Sequence, residues 1–278
     1  MPELPEVETI VAEIRPRLVE AVIRSIQLRP DYLRTSETDL HRALTGRRIA
    51  GVSREGKWIV LSLVDGARCV LHLGMSGRLT IEQSASEVAL HTHFVMRFQS
   101  RADELRLRDP RRFGGVWYWP PAVEPGEFGS SVAIPRLGPD ALNVTASEFS
   151  GICRRAKRIK ALLLDQSAIC GLGNIYCDEA LFDAKIHPDA LASGLATPDV
   201  RRLACSIRKV LRKAIEFGGS SLRDYVRSDG RAGEFQRIHR VYGREGLPCP
   251  RCGAAIVRKM SAGRSTHFCA RCQSVGAE

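Results

Sequence analysis

The chain has 278 residues, a mass of 30.7 kDa and 44% hydrophobic residues, enough for two domains with their own cores and a small module, and too many apolar positions for a disordered chain. Lys and Arg number 42 against 31 Asp and Glu, a formal net charge of +11. This surplus predicts an anionic partner, nucleic acid before membrane. No basic amphipathic helix stands out, and no apolar run is long enough for a transmembrane span or signal segment, so the cytosol with its DNA is the expected place.

The chain opens Met1-Pro2-Glu3-Leu4-Pro5-Glu6-Val7-Glu8-Thr9. Val7, Ile10, Val11 and Ile14 recur on one helical face, Pro5 suits the first helical position, and Glu6 and Glu8 complement the positive end of the helix dipole. With Met1 removed, which a small second residue permits, Pro2 is a free secondary amine at the head of a helix. An α-amino group titrates near pH ~8, so much of it is neutral and nucleophilic toward an aldehyde-level carbon. Glu3 beside it can move protons. The same residues also read, more plainly, as a well-capped helix start.

From about Val22 to Trp119 the pattern is extended. Trp58 to Leu63, the turn Asp65-Gly66 and Cys69 to Leu73 form a hairpin, followed by strands at His93 to Phe98, Leu105 to Arg108 and Val116 to Trp119. A β-sandwich or barrel led by a helix is expected. Pro120-Pro121, Pro125-Gly126 and Gly129-Ser130-Ser131 mark a linker.

Beyond it the chain turns helical. Thr145-x-x-Glu148 is a capping box, and Thr197-Pro198 opens an amphipathic helix through Leu203, Ile207, Val210, Leu211 and Ala214 that Gly218-Gly219 stops. Gly171-Leu172-Gly173-Asn174 precedes a helix from Ile175 to Phe182, a place for phosphate on helix amides or simply a tight inter-helix turn. Ser220 to Phe235 is arginine-rich and aperiodic, which predicts a mobile lid.

Cys249-x-x-Cys252, sixteen residues, then Cys269-x-x-Cys272 has the spacing of a four-thiolate zinc ribbon, closed and structural, with iron as the alternative ion. Ile256 to Phe268 is its hairpin, and the tip Ser261-Ala262-Gly263-Arg264 presents Arg264 outward. The other cysteines, Cys69, Cys153, Cys170, Cys177 and Cys205, read as buried small hydrophobes.

Pro2 to Thr9, His72-Leu73-Gly74-Met75-Ser76-Gly77, Asp109-Pro110-Arg111-Arg112-Phe113-Gly114, Gly173-Asn174-Ile175-Tyr176 and the zinc ribbon, in that order, resemble the bacterial formamidopyrimidine-DNA glycosylase family. The resemblance implies an α+β multidomain fold: an N-terminal β-sandwich with a leading helix (1–130), a helical domain with a helix-two-turn-helix element and a lesion-capping loop (131–240), and a C-terminal zinc-ribbon hairpin (241–278). It implies a monomer that binds duplex DNA carrying oxidised bases or abasic sites between its two main domains, with one structural zinc ion and no membrane. Pro2 would attack C1′ and carry an iminium ion through β- and δ-elimination, with Glu3 and Lys57 as the other catalytic residues. Met75, Arg111 and Phe113 would fill the void left by an everted nucleotide. Lys160, Asn174, Arg264 and His93 would join Lys57 in holding phosphates, and the loop from Ser220 to Gly233 would close over 8-oxoguanine. Residue by residue, Lys57 also reads as an ordinary strand lysine, Met75 and Phe113 as sandwich core, and Arg111 as a surface charge. The alternatives are an endonuclease VIII-type enzyme for oxidised pyrimidines and a non-catalytic binder of damaged DNA.

Overall fold

The structure, a computed structural model, describes residues 2–33, 40–121 and 136–274. It divides into two compact units, Met1–Arg136 with Phe217–Glu234, and Leu137–Glu216 with Phe235–Glu278. The division expected from sequence differs in two respects. The zinc module joins the helical domain, and the loop expected on the helical domain belongs to the N-terminal unit. Much of the linker segment, including Pro125 to Ser131, lies outside the described residues.

The N-terminal unit starts with α1 (Leu4–Leu18). Leu4, Val7, Ile10, Val11, Ile14 and Leu18 are all fully buried, the apolar face the spacing predicts. β1 (Ile23–Leu28), α2 (Leu40–Leu44), β2 (Ile49–Glu55), β3 (Trp58–Leu63), β4 (Arg68–His72), β5 (Arg78–Gln83), β6 (Thr92–Phe98), β7 (Asp103–Arg108) and β8 (Gly115–Trp119) follow. They form two antiparallel sheets, ordered β1-β6-β7-β5 and β2-β3-β4-β8. Inward side chains of both sheets meet in one core that also takes up α1 and Tyr225, which makes the unit a β-sandwich. The hairpin of β3 and β4 pairs Trp58 with His72 and Ser62 with Arg68, as its turn residues predict.

The second unit holds α3 (Ala146–Cys153), α4 (Ile159–Leu164), α5 (Asn174–Asp183), α6 (Thr197–Glu216) and the hairpin of β9 (Val257–Ser261) and β10 (Arg264–Phe268). Thr145 caps α3 as expected, its hydroxyl accepting from the Glu148 amide. Every residue of α5 from Ile175 to Phe182 is buried, because α4 and α6 flank it and β10 and the zinc module cover the rest. Within that buried helix Asp178 and Glu179 are acidic, and both serve as anchors. Glu179 accepts the backbone amides of Arg240, Val241 and Tyr242 at 2.9 to 3.1 Å.

Candidate active site and nucleic-acid interface

Pro2 and Glu3 immediately precede α1, and both are buried. Glu6, in the first helical turn, accepts the Glu3 amide on Oε2 at 2.8 Å and the Ser220 amide on Oε1 at 2.7 Å. Its carboxylate therefore does more than complement the helix dipole: it couples the backbone beside Pro2 to the 217–234 loop. Gly219, at φ +79°, makes this approach possible, since a Cβ there would lie 2.8 Å from Glu6 Oε1. Met1 lies outside the described residues.

Lys57 occupies the turn between β2 and β3 and is only 7% exposed, unlike an ordinary strand lysine. Its charge reaches His72. Burial first, and Lys57 second, push the His72 imidazole down to about 4. His72 Nδ1 accepts the Gly74 amide at 3.1 Å, and its ring lies 4.5 Å from that of Trp58. This imidazole is neutral at physiological pH, so Lys57 supplies the positive charge here.

Met75, Arg111 and Phe113 sit on two turns of the N-terminal unit, all exposed, with Phe113 at 56% and the Arg111 guanidinium 4.8 Å above its ring. Membership of the sandwich core is thereby excluded for Met75 and Phe113. The fully buried Asp109 binds the turns together: Oδ1 accepts Ser76 Oγ at 2.6 Å, and Oδ2 accepts Tyr32 OH at 2.9 Å and the Gly114 amide at 2.8 Å. Gly74, at φ +58°, completes the contact, because a Cβ would come within 2.4 Å of the Phe113 and Gly114 backbone.

His93 is a brace of this arrangement. It is 4% exposed, Nε2 stands 3.0 Å from the Asp109 carbonyl, and its ring packs 4.9 Å from Tyr32. Burial is the largest cause that holds its affinity for a proton below the ordinary value.

In the second unit the hairpin turn Ala262-Gly263 has both residues at positive φ, and Arg264 is exposed beside it. The helices hold that tip by the next residue. Ser265 O accepts Asn174 Nδ2 at 2.8 Å and Lys160 Nζ at 3.1 Å. Lys160 is fully buried, and its ammonium also binds Asp178 Oδ1 at 2.7 Å and Thr266 Oγ1 at 2.8 Å. The expected phosphate contact is thus a buried internal cation, with its three donors satisfied by protein. Asp178 Oδ2 takes the His267 amide at 2.9 Å, completing the grip on β10.

The four Sγ atoms of Cys249, Cys252, Cys269 and Cys272 lie within 4.8 Å of one another, with Cys249–Cys272 at 3.9 Å and Cys252–Cys269 at 3.4 Å. Tetrahedral zinc with Zn–S near ~2.3 Å needs sulfurs roughly 3.8 Å apart. The amides of Arg251 and Cys272 donate to Cys249 and Cys269 sulfurs at 3.4 Å, which favours thiolates. The donor set fits one structural zinc ion, closed to any further ligand.

Similarity to known proteins spans the chain. Residues 1–116 match the formamidopyrimidine-DNA glycosylase N-terminal domain, 137–226 the formamidopyrimidine-DNA glycosylase H2TH domain, and 246–275 a zinc finger found in FPG and IleRS. The chain belongs to the formamidopyrimidine-DNA glycosylase family. A formamidopyrimidine-DNA glycosylase of Thermus thermophilus is 42% identical over 281 residues, covering 99% of this chain and 100% of that protein. A point mutant of Lactococcus lactis FPG in complex with Fapy-dG containing DNA superposes with a TM-score of 0.86 at 35% identity, covering 99% of this chain and 100% of that one. The complex of Lactococcus lactis Fpg with abasic-site DNA gives 0.85 at 35%, covering 98% and 100%. As a member of this family the protein is a DNA-repair glycosylase with a zinc finger, and no described helix is long and apolar enough to cross a membrane.

Several structural anchors of this glycosylase escape sequence reasoning. Asp109 stands inside a quoted motif, yet nothing local shows that four groups converge on it. Glu6 carries a signal, since it lies three residues after Glu3 at the spacing of a capping box. Asp178 is hidden in a helix with no polar face. Among the lone cysteines, Cys205 departs from expectation, being exposed on α6 with Arg208 Nη2 3.5 Å from its sulfur.

Proposed function

We propose that this glycosylase excises oxidised purines, 8-oxoguanine and formamidopyrimidines, from duplex DNA and then cleaves the abasic strand. Pro2 is the nucleophile. With Met1 removed, its nitrogen lone pair attacks C1′ while the glycosidic electron pair leaves with the base, which takes a proton. The amine's proton passes to O4′ as the C1′–O4′ bond breaks, which opens the sugar ring and leaves a cationic iminium, an electron sink. Loss of a C2′ proton then expels the 3′ phosphate, and a second elimination expels the 5′ phosphate. Glu3 and Lys57 transfer the protons, Glu3 from its buried place beside Pro2 and Lys57 as the buried cation of the β2–β3 turn.

The everted nucleotide leaves a void that Met75 and Phe113 enter as apolar wedges, with Arg111 donating to the orphaned base. Arg264 and the start of α5 at Asn174 hold phosphates. The 217–234 loop covers the excised base. The observation that carries this reading is the placement of Pro2 and Glu3 at the head of α1 with Glu6 fixing the Glu3 amide at 2.8 Å, which gives the amine a rigid mount.

Borohydride trapping on an 8-oxoguanine·cytosine duplex tests it, with protein whose Met1 removal is verified by mass and a Pro2-blocked control. A covalent adduct only with free Pro2 is the expected result. Adducts with a thymine-glycol duplex but not with 8-oxoguanine would transfer the reading to oxidised pyrimidines. Failure to trap even an abasic site, despite binding, would replace it with the non-catalytic binder.

A further inference from the structure

The 217–234 loop is secured to the catalytic helix at two places. At its start the Ser220 amide donates to Glu6. Farther along, Glu13 takes Arg227 Nε on Oε1 at 2.6 Å, and the Ser228 amide and hydroxyl on Oε2 at 2.9 and 2.7 Å. Seven residues separate the two carboxylates, which puts them on one face of α1 about 10.5 Å apart along its axis. Between the clamps Tyr225 is buried in the sandwich core, its hydroxyl donating to the Gly218 carbonyl at 3.1 Å. Ser228 O accepts the Ile81 amide of β5 at 3.1 Å. Leu222 and Arg223, at the crest between Ser220 and Tyr225, remain exposed. The segment expected to be a mobile lid is hydrogen-bonded at its base to α1 and β5, with exposed residues at this crest and again from Asp229 to Ala232.

We propose that Glu13 is a positioning residue for base selection. It sits two helical turns from Glu6, touches no residue assigned to catalysis, and through Arg227 and Ser228 fixes the far limb of the loop, so that the crest is held at a set height relative to Pro2. Three donors converge on one partly buried carboxylate, and charge-assisted bonds of this length are the strong ones. Glu6 holds the near limb but also touches Glu3, so its loss mixes two effects. Glu13 separates them.

The inference rests on the reading of the loop as the cover of the excised base. The cover matters for drawing an oxidised base into place and is dispensable when no base is present. Single-turnover rates of Glu13→Ala on an 8-oxoguanine duplex and on a preformed abasic duplex therefore test it, with Arg227→Ala removing the contact from the loop side. Base excision should fall at least about tenfold in both variants while abasic-strand cleavage stays within about twofold, because small misplacements of substrate-positioning groups are costly. A parallel fall of both rates would show that Glu13 merely supports α1, and unchanged base excision would show that the clamp positions nothing; either overturns the proposal. A wild-type protein unable to excise 8-oxoguanine would overturn the functional reading itself, a separate result.

Discussion

Ser76 Oγ donates to Asp109 Oδ1 at 2.6 Å, and that bond ties the turn exposing Met75 to the turn exposing Arg111 and Phe113. Asp109 is fully buried and also holds Tyr32 and Gly114, so the relative placement of Met75, Arg111 and Phe113, the side chains proposed to fill the void, depends on one carboxylate. Ser76→Ala should cost about 1–2 kcal/mol, and Asp109→Ala at least about 3 kcal/mol, since it strands several buried donors. In a double-mutant cycle followed by chemical denaturation, the costs should not add. Full additivity would show that the Ser76 bond contributes nothing.

Gly74 provides a second test of the same junction. Alanine there must adopt φ +58° and bring its Cβ to 2.4 Å from backbone of Phe113 and Gly114. Gly74→Ala should therefore lose more than about 2 kcal/mol, the strain of a left-handed alanine plus the clash. Gly66→Ala has φ +87° but open space around its Cβ, and should lose only the strain. Equal melting temperatures for the two variants would refute the clash.

The family resemblance gives both Lys160 and Arg264 a phosphate, and the structure separates them. Lys160→Met leaves Asp178 buried without its cation and should destabilise the protein by about 3–5 kcal/mol. At temperatures where it stays folded, its DNA affinity should keep the wild-type salt slope. Arg264→Ala should leave stability alone and reduce the slope of log K against log salt by about 0.9, one phosphate contact. A reduced slope in Lys160→Met would restore it to the DNA surface.

His72 confers an acid lability. Its imidazole is held at about 4 against an ordinary 6.5, by burial and then Lys57. Above the ordinary value both folded and unfolded chains are neutral there and stability is complete. As pH falls from 6.5 toward 4 only the unfolded chain takes the proton, and stability is lost. His93, His187 and His239 are shifted in the same direction, with burial the largest cause in each. Asp165 and Asp189, held at about 2, act only at lower pH. The melting temperature should drop between about pH 7.5 and about pH 5, and drop less in His72→Asn, whose Oδ1 can still accept the Gly74 amide. An identical drop in both proteins would count against His72.

What the chain determines by itself is local or covalent in character. The apolar stripe of α1, the Asp65-Gly66 hairpin, the Thr145 cap, the extent of α6 and the paired Cys-x-x-Cys knuckles follow from periodicity, turn chemistry and metal-ligand spacing, which act over a few residues. Colinear motifs place the chain in its family for the same reason: short segments carry them. Burial and partner choice across long separations belong to the tertiary structure. Lys160 looks like any basic residue until Asp178 and Thr266, 18 and 106 positions away, close around it. His93 becomes a brace only when Asp109 and Tyr32 enclose it. The loop after Gly219 reads as mobile until Glu6 and Glu13, more than two hundred residues earlier, take its amides. A charged side chain shows in sequence only that it needs water or a partner, and the fold alone decides which one it gets.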